Sequence, residues 1–293
     1  MTDLLKRVHI VGASHPVVSY ILLHFVSLEN FVPILYSSKI CVNKRFVYNT
    51  YSSLPRLFAS GDILLSISPP FLSAPLVQAI VQCDLLPSLV VQLSSTSIYS
   101  KVQGMSPDSL DYTHFVLGEN NLITSLLPFA QVKLCILRLS MLWGSGDKNI
   151  TRIRKLLLSY KCFPLLKTQA TLGLRAPIHC KQLSFILAQI IFSPPSSGVY
   201  DLMGPQILSY DQMFLDIAST IRFRVFPLAI PVFYLVLLLR LAVALRLSRA
   251  INVISMVLRQ RECLVYSKNP LPSSFLNLPP GCNWRTLLDE EFS

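Results

Sequence analysis

Apolar residues recur along this chain in two alternating patterns. Short, largely apolar runs at Val8–Val11, Phe31–Tyr36, Ile63–Ile67, Leu89–Leu93, Val132–Leu139 and Val199–Leu202 read as strands buried on both faces. Between them lie stretches of helical length, Pro16–Val26, Ala74–Cys83, Tyr112–Leu126, Asn149–Ser159, Lys181–Phe192 and Ser209–Ile221. Strands of that kind alternating with helices predict an α/β domain, a doubly wound parallel sheet covered on both sides. No repeat of fixed period interrupts the pattern. The expected division is residues 1–205 for this domain and 206–293 for a small C-terminal subdomain.

The turns that follow the strands carry the candidate chemistry, because ligands of doubly wound sheets bind beyond the carboxyl ends of the strands. The first strand runs into Gly12-Ala13-Ser14-His15 and then into a helix, which is how a Rossmann-like, dinucleotide-binding βαβ unit opens. In a G-x-x-G-x-x-G reading His15 and Val18 stand where the second and third glycines belong. The second lets backbone approach a pyrophosphate, and the third lets the helix pack on the strand. Later strands are followed by Ser66 through Pro70, by Ser94-Ser95-Thr96-Ser97 and by Ser140 through Gly144. Small and hydroxylated residues thus gather where a dinucleotide needs close backbone and hydrogen-bond partners. The candidate cofactor-binding residues are Gly12, Ala13, Ser14, His15, Ser66, Pro69, Ser94 and Ser140.

Composition narrows the class. Apolar residues make up 52% and charged residues 14%, which excludes a disordered chain. The seven cysteines are scattered with no C-x-x-C pair, so neither a zinc site nor a disulfide framework is expected. The few apolar residues after Lys6 and Arg7 are too short a run for a signal peptide, and a reducing cytoplasmic setting is expected. The net charge of +11 is uneven: residues 1–150 hold 10 Lys and Arg against 8 acids, residues 151–293 hold 16 against 7. In the second half the cations are interleaved with Leu, Val and Ile, which suits a membrane surface better than nucleic acid. Phe226–Leu245 is almost wholly apolar, but Pro227, Pro231 and Arg240 interrupt it, so peripheral association is expected over a spanning helix. Leu247, Ile251, Ile254 and Leu258 then form a helical stripe opposite Arg246, Arg249 and Arg259. This amphipathic pattern would lie at the inner face of a membrane. The proline-rich tail from Asn269 reads as an irregular covering segment.

Three segments give a resemblance to a family. Leu93–Tyr99 (LSSTSIY) is similar to an S-S-x-x-V-Y-G signature, Ile136–Gly144 (ILRLSMLWG) to L-R-P-x-x-x-Y-G, and Gly173–His179 (GLRAPIH) to G-x-R-x-x-V-H. On these the chain resembles the extended short-chain dehydrogenases/reductases, the NAD-dependent sugar-nucleotide epimerase/dehydratase branch, over about residues 7 to 215. The resemblance implies NAD or NADP as cofactor and a sugar-nucleotide or lipid-linked sugar as substrate. It implies that Ser95 binds the reacting oxygen and that Arg175 contacts a diphosphate. The family pairs a Tyr with a Lys four residues on. Here Tyr112 is followed by Val116, and aligning Glu119 with the family's glutamate puts Asp111 and Phe115 at the pair. Tyr112 and Tyr99 remain as acid/base candidates, with Lys101 the nearest ammonium. Lys39, after the second strand, suits a 2′-phosphate or is a solvated loop residue. Related folds also serve as non-catalytic scaffolds and commonly pair through a two-helix face, so a degenerate dinucleotide-binding scaffold and a homodimer stay among the expectations.

Overall fold

The computed structural model describes residues 6–26, 31–38, 48–101, 106–144, 148–167, 173–221, 226–245 and 263–292. The chain forms two compact units, and it passes between them five times, so no single cut in the sequence separates them. Lys39 and the stripe between Arg246 and Arg259 lie outside the described residues.

The first unit takes Met1–Ser140, Cys180–Met203 and Tyr266–Pro279. Its sheet has seven strands: β1 (Lys6–Val11), β2 (Phe31–Tyr36), β3 (Tyr48–Asn49), β4 (Ile63–Ser66), β5 (Leu89–Ser95), β6 (Lys133–Leu139) and β11 (Gly198–Leu202). They pair in parallel in the order β3-β2-β1-β4-β5-β6-β11. The order reverses at β1, so the boundary between β1 and β4 is the topological switch point of a Rossmann-like sheet. Helices α1 (Val17–Val26), α2 (Leu54–Leu57), α3 (Pro70–Gln82), α4 (Ser97–Lys101), α5 (Ser106–Leu126) and α7 (Cys180–Phe192) accompany it.

Alternation along the strands sorts the core into two layers. Val11, Tyr36, Leu64, Val90 and Ile136 pack with Ala74, Val77 and Ile80 of α3 and Leu122 and Leu126 of α5. The alternate residues Ile10, Leu65, Val91 and Leu137 are equally buried, and α1 packs on α7. The edge strand β11 is covered by the returning segment after Tyr266. Asp201 N–H donates to Asn269 O at 2.7 Å and Leu271 N–H to Asp201 O at 3.3 Å, which closes an edge that would otherwise pair with another chain.

The second unit takes Met141–His179, Gly204–Val265 and Pro280–Ser293. Three strand pairs hold it: β7 (Leu142–Trp143) with β10 (Ile178–His179), β9 (Leu174–Arg175) with β12 (Leu208–Ser209), and β8 (Cys162–Lys167) with β13 (Phe226–Pro231). Helices α6 (Lys148–Tyr160), α8 (Tyr210–Ser219), α9 (Val232–Ala244) and α10 (Trp284–Phe292) complete it. Its core joins Trp143, Ile150, Leu157, Met213, Phe214 and Ile217 to Trp284, Leu287 and Leu288 of α10. The tail is therefore not irregular throughout. Trp284, Leu287 and Leu288 fall at i, i+3, i+4, and Asn283 Oδ1 accepts from Thr286 N–H at 2.9 Å to start the helix.

Candidate functional site

At the switch point two turns touch. Gly12 has φ +87°, a conformation that favours glycine, and a Cβ there would lie 2.8 Å from Ser68 Oγ and 2.9 Å from Ser68 N. The N–H groups of Gly12 and Ala13 both donate to Tyr36 O, at 3.1 and 2.9 Å, tying the turn to the end of β2. The Ser68 turn is held from below by Gln92, a lone amide in the apolar strand β5. Gln92 Nε2 donates to Ser68 O at 2.7 Å and Gln92 Oε1 accepts from Ser73 Oγ. Ser66 is buried beneath that turn, and half-buried Pro69 leads into α3.

His15 closes the start of α1 with its own ring. His15 N–H donates to Gly12 O at 3.0 Å, and His15 Nδ1 accepts from Val17 N–H at 3.2 Å. Burial holds its pKa below the ordinary imidazole range, so the ring is the neutral acceptor that this bond requires. A helix N-terminus is where an anion is welcome, and one of its donors is already taken by the imidazole. Ser14 is exposed beside it, and Val18 is buried in the packing below α1.

Beyond the ends of β5 and β6 a chain of charged hydrogen bonds crosses the unit. Ser94 Oγ donates to Glu119 Oε1 at 2.5 Å. The Arg138 guanidinium donates to both Glu119 oxygens, Nε at 3.2 Å to each and Nη2 at 2.5 Å to Oε2. Arg138 Nη1 donates to Tyr99 Oη at 2.7 Å, and Tyr99 O–H donates to Asp201 Oδ1 at 2.9 Å. Asp201 Oδ2 in turn accepts from the N–H groups of Lys268 and Asn269 at 2.7 and 3.1 Å. Burial works against the Arg138 charge, yet the bonds to Glu119 and Tyr99 hold its pKa above the ordinary range. Burial, with the bond to Asp201, raises the Tyr99 phenol against the opposite pull of Arg138. Lys268 Nζ lies 4.6 Å over the Tyr99 ring. Half-buried Ser95, next to this network, donates from Oγ to Ser97 Oγ at 2.8 Å and accepts from Ser97 N–H at 3.2 Å.

Glu119 facing Arg138 fixes the rotation of α5, and Phe115, one turn earlier, meets Phe71 edge-on at 5.9 Å. Tyr112 is half-buried on the same helix; the side chains of Asp111 and Lys101 lie outside the described residues. Ser140 N–H donates to Leu202 O at 3.0 Å, at the end of β6. In the second unit Arg175 is buried, lies 5.2 Å over the Tyr210 ring and donates to Leu174 O at 2.9 Å. Among the described residues no three His, Cys, Asp or Glu side chains gather as a metal site, and burial pushes the Cys135 thiol up to about 12.

Sequence reasoning did not single out Gln92, Asp201 or Lys268, and it read Arg138 only as part of a motif. For the first two and for Arg138 the signal was present: a polar side chain inside an otherwise apolar strand must find a partner. Lys268 had none, because its place depends on the chain returning past β11.

A likeness of fold extends beyond this chain. A structure of human epimerase family protein SDR39U1 with NADPH is similar at TM-score 0.63 and 14% identity, covering 98% of this chain and 99% of that one. UDP-N-acetylglucosamine 4-epimerase from Bacillus cereus gives 0.59 and 13%, covering 77% and 85%. Thermus thermophilus UDP-glucose 4-epimerase with NAD gives 0.57 and 14%, covering 77% and 86%. No protein-family model and no curated protein matches the sequence.

Proposed function

We propose that this protein binds NAD or NADP at the Gly12 turn and acts as an epimerase, dehydratase or reductase on a sugar-nucleotide or lipid-linked sugar. The observation that carries this reading is the contact of the Gly12 and Ser68 turns at the β1/β4 switch point, where folds of this kind bind dinucleotides. Two proteins similar in fold are named as 4-epimerases of UDP-sugars, one of them solved with NAD, and a third, named as an epimerase family protein, was solved with NADPH. The residues fit such a group: a left-handed glycine makes the tight turn, and Ser14 is exposed at the mouth of α1. A bound nicotinamide supplies a hydride donor or acceptor.

The chain's own groups do the rest. Ser95, held by Ser97, offers a hydroxyl to the substrate oxygen. Tyr99 is a positioning residue: its proton is given to Asp201 and its oxygen accepts from Arg138, so it is not free to act as a base. Tyr112 is the acid/base candidate that remains. A second reading, a non-catalytic dinucleotide-binding scaffold, is favoured by Phe115 packing on Phe71 where the family's lysine would stand.

Turnover of a panel of UDP- and dTDP-sugars with NAD(P)(H) separates the two. Activity that falls at least about a hundredfold in Ser95→Ala, with dinucleotide binding unchanged, supports the enzyme. Dinucleotide binding with no turnover of any sugar supports the scaffold.

A further inference from the structure

Helix α9 displays a surface that a folded protein ordinarily hides. Phe233 is 70% exposed, Tyr234 58%, Leu237 53%, Leu238 50%, Leu241 54% and Leu245 59%. Tyr234, Leu237, Leu238, Leu241 and Leu245 recur at i, i+3, i+4, i+7 and i+11, a single stripe along the helix. Val236 and Val243, also exposed, lie toward the opposite side of the helix, and Arg240 is the one charge in α9. A contiguous apolar patch of this kind marks a docking face.

We propose that α9 lies in the plane of an anionic phospholipid bilayer, with this stripe in the acyl boundary. Three observations choose the occupant. Thirteen residues make a helix about 20 Å long, short of the roughly 30 Å hydrocarbon core, and among the described residues no helix is long and apolar enough to cross a membrane. The stripe begins with Tyr234, whose apolar ring and polar tip favour the headgroup boundary. From Arg222 to Arg261 the sequence holds seven arginines and no acidic residue. A second copy docking stripe to stripe would bring two acid-free, arginine-rich segments together, whereas anionic headgroups neutralise them.

The test is flotation of the full-length protein with vesicles of 70% phosphatidylcholine and 30% phosphatidylglycerol, beside pure phosphatidylcholine vesicles. At 50 mM salt the protein floats with the anionic vesicles, and the bound fraction falls at least about tenfold on pure phosphatidylcholine or at 500 mM salt. Leu237→Glu/Leu241→Glu abolishes flotation while circular dichroism and thermal midpoint stay unchanged, since both side chains are exposed. In Phe233→Trp the new indole is quenched by lipids brominated near the headgroup; Trp143 and Trp284 are buried and stay silent. Absence of flotation at low salt overturns the proposal. So does equal binding to both vesicles, or a wild-type dimer that the Leu237→Glu/Leu241→Glu variant dissolves while vesicles bind neither.

Discussion

Arg138 shows how one residue organises this fold. It is the charged residue inside an apolar strand, and its guanidinium satisfies a glutamate that is almost wholly buried while also fixing Tyr99. A buried pair of this kind costs little as a pair and much when halved. Arg138→Met leaves Glu119 charged and unpartnered by its cation, and a loss of about 3–5 kcal/mol in denaturant unfolding is expected. Adding Glu119→Leu to that variant restores most of the loss; a double variant as unstable as the sum of the singles contradicts the pairing. His9 makes the same point farther along the same face of the sheet. Asp62 is an acceptor, so the His9 Nε2–H donates to it at 2.8 Å, and Nδ1, also at 2.8 Å, is left to accept from Tyr36 O–H. The Tyr36 hydroxyl, at the end of β2, is thereby engaged inside the fold. A sequence alone does not tell which way such a side chain turns.

At the scale of elements, α3 and α5 meet at a glycine. A Cβ on Gly118 would overlap the backbone of Pro70 and Phe71, so the helices approach backbone to backbone there. Gly118→Val forces them apart, and a cost of about 1–3 kcal/mol is expected; an unchanged thermal midpoint would mean the contact is not that tight. Elements whose sequence is one-sided were legible. Phe31–Tyr36 is a strand over the residues expected, because an apolar run ending in Ser37 has few alternatives. The Gly12 turn was legible for the same kind of reason: its φ favours glycine. The tail helix α10 was hidden by the proline-rich stretch before it, although Asn283, Trp284, Leu287 and Leu288 carried a cap and a stripe. The network beyond β5 and β6 was not legible as a unit, since Tyr99 meets Arg138 and Asp201 across 39 and 102 residues of sequence.

Over the whole molecule, three histidines set a common response to acid. Burial lowers the pKa of His9, His15 and His24 below the ordinary 6.5. The unfolded chain therefore binds more protons than the folded one just below pH 6.5. Their contribution to stability is complete above that value and is lost as pH falls below it through their lowered folded-state values. The thermal midpoint is expected to drop between pH 7.5 and 5.5, and less steeply in His15→Ala; a flat or rising midpoint contradicts this. In the proposed dinucleotide site at the switch point of this sheet, His15 caps the helix that would receive the pyrophosphate. The most direct test of that site is fluorescence titration of wild type and His15→Gly with NADPH and NADH. Saturable binding by wild type, tightened roughly threefold to thirtyfold when the imidazole is removed, is the predicted result. No saturable binding by either protein up to millimolar dinucleotide would contradict it.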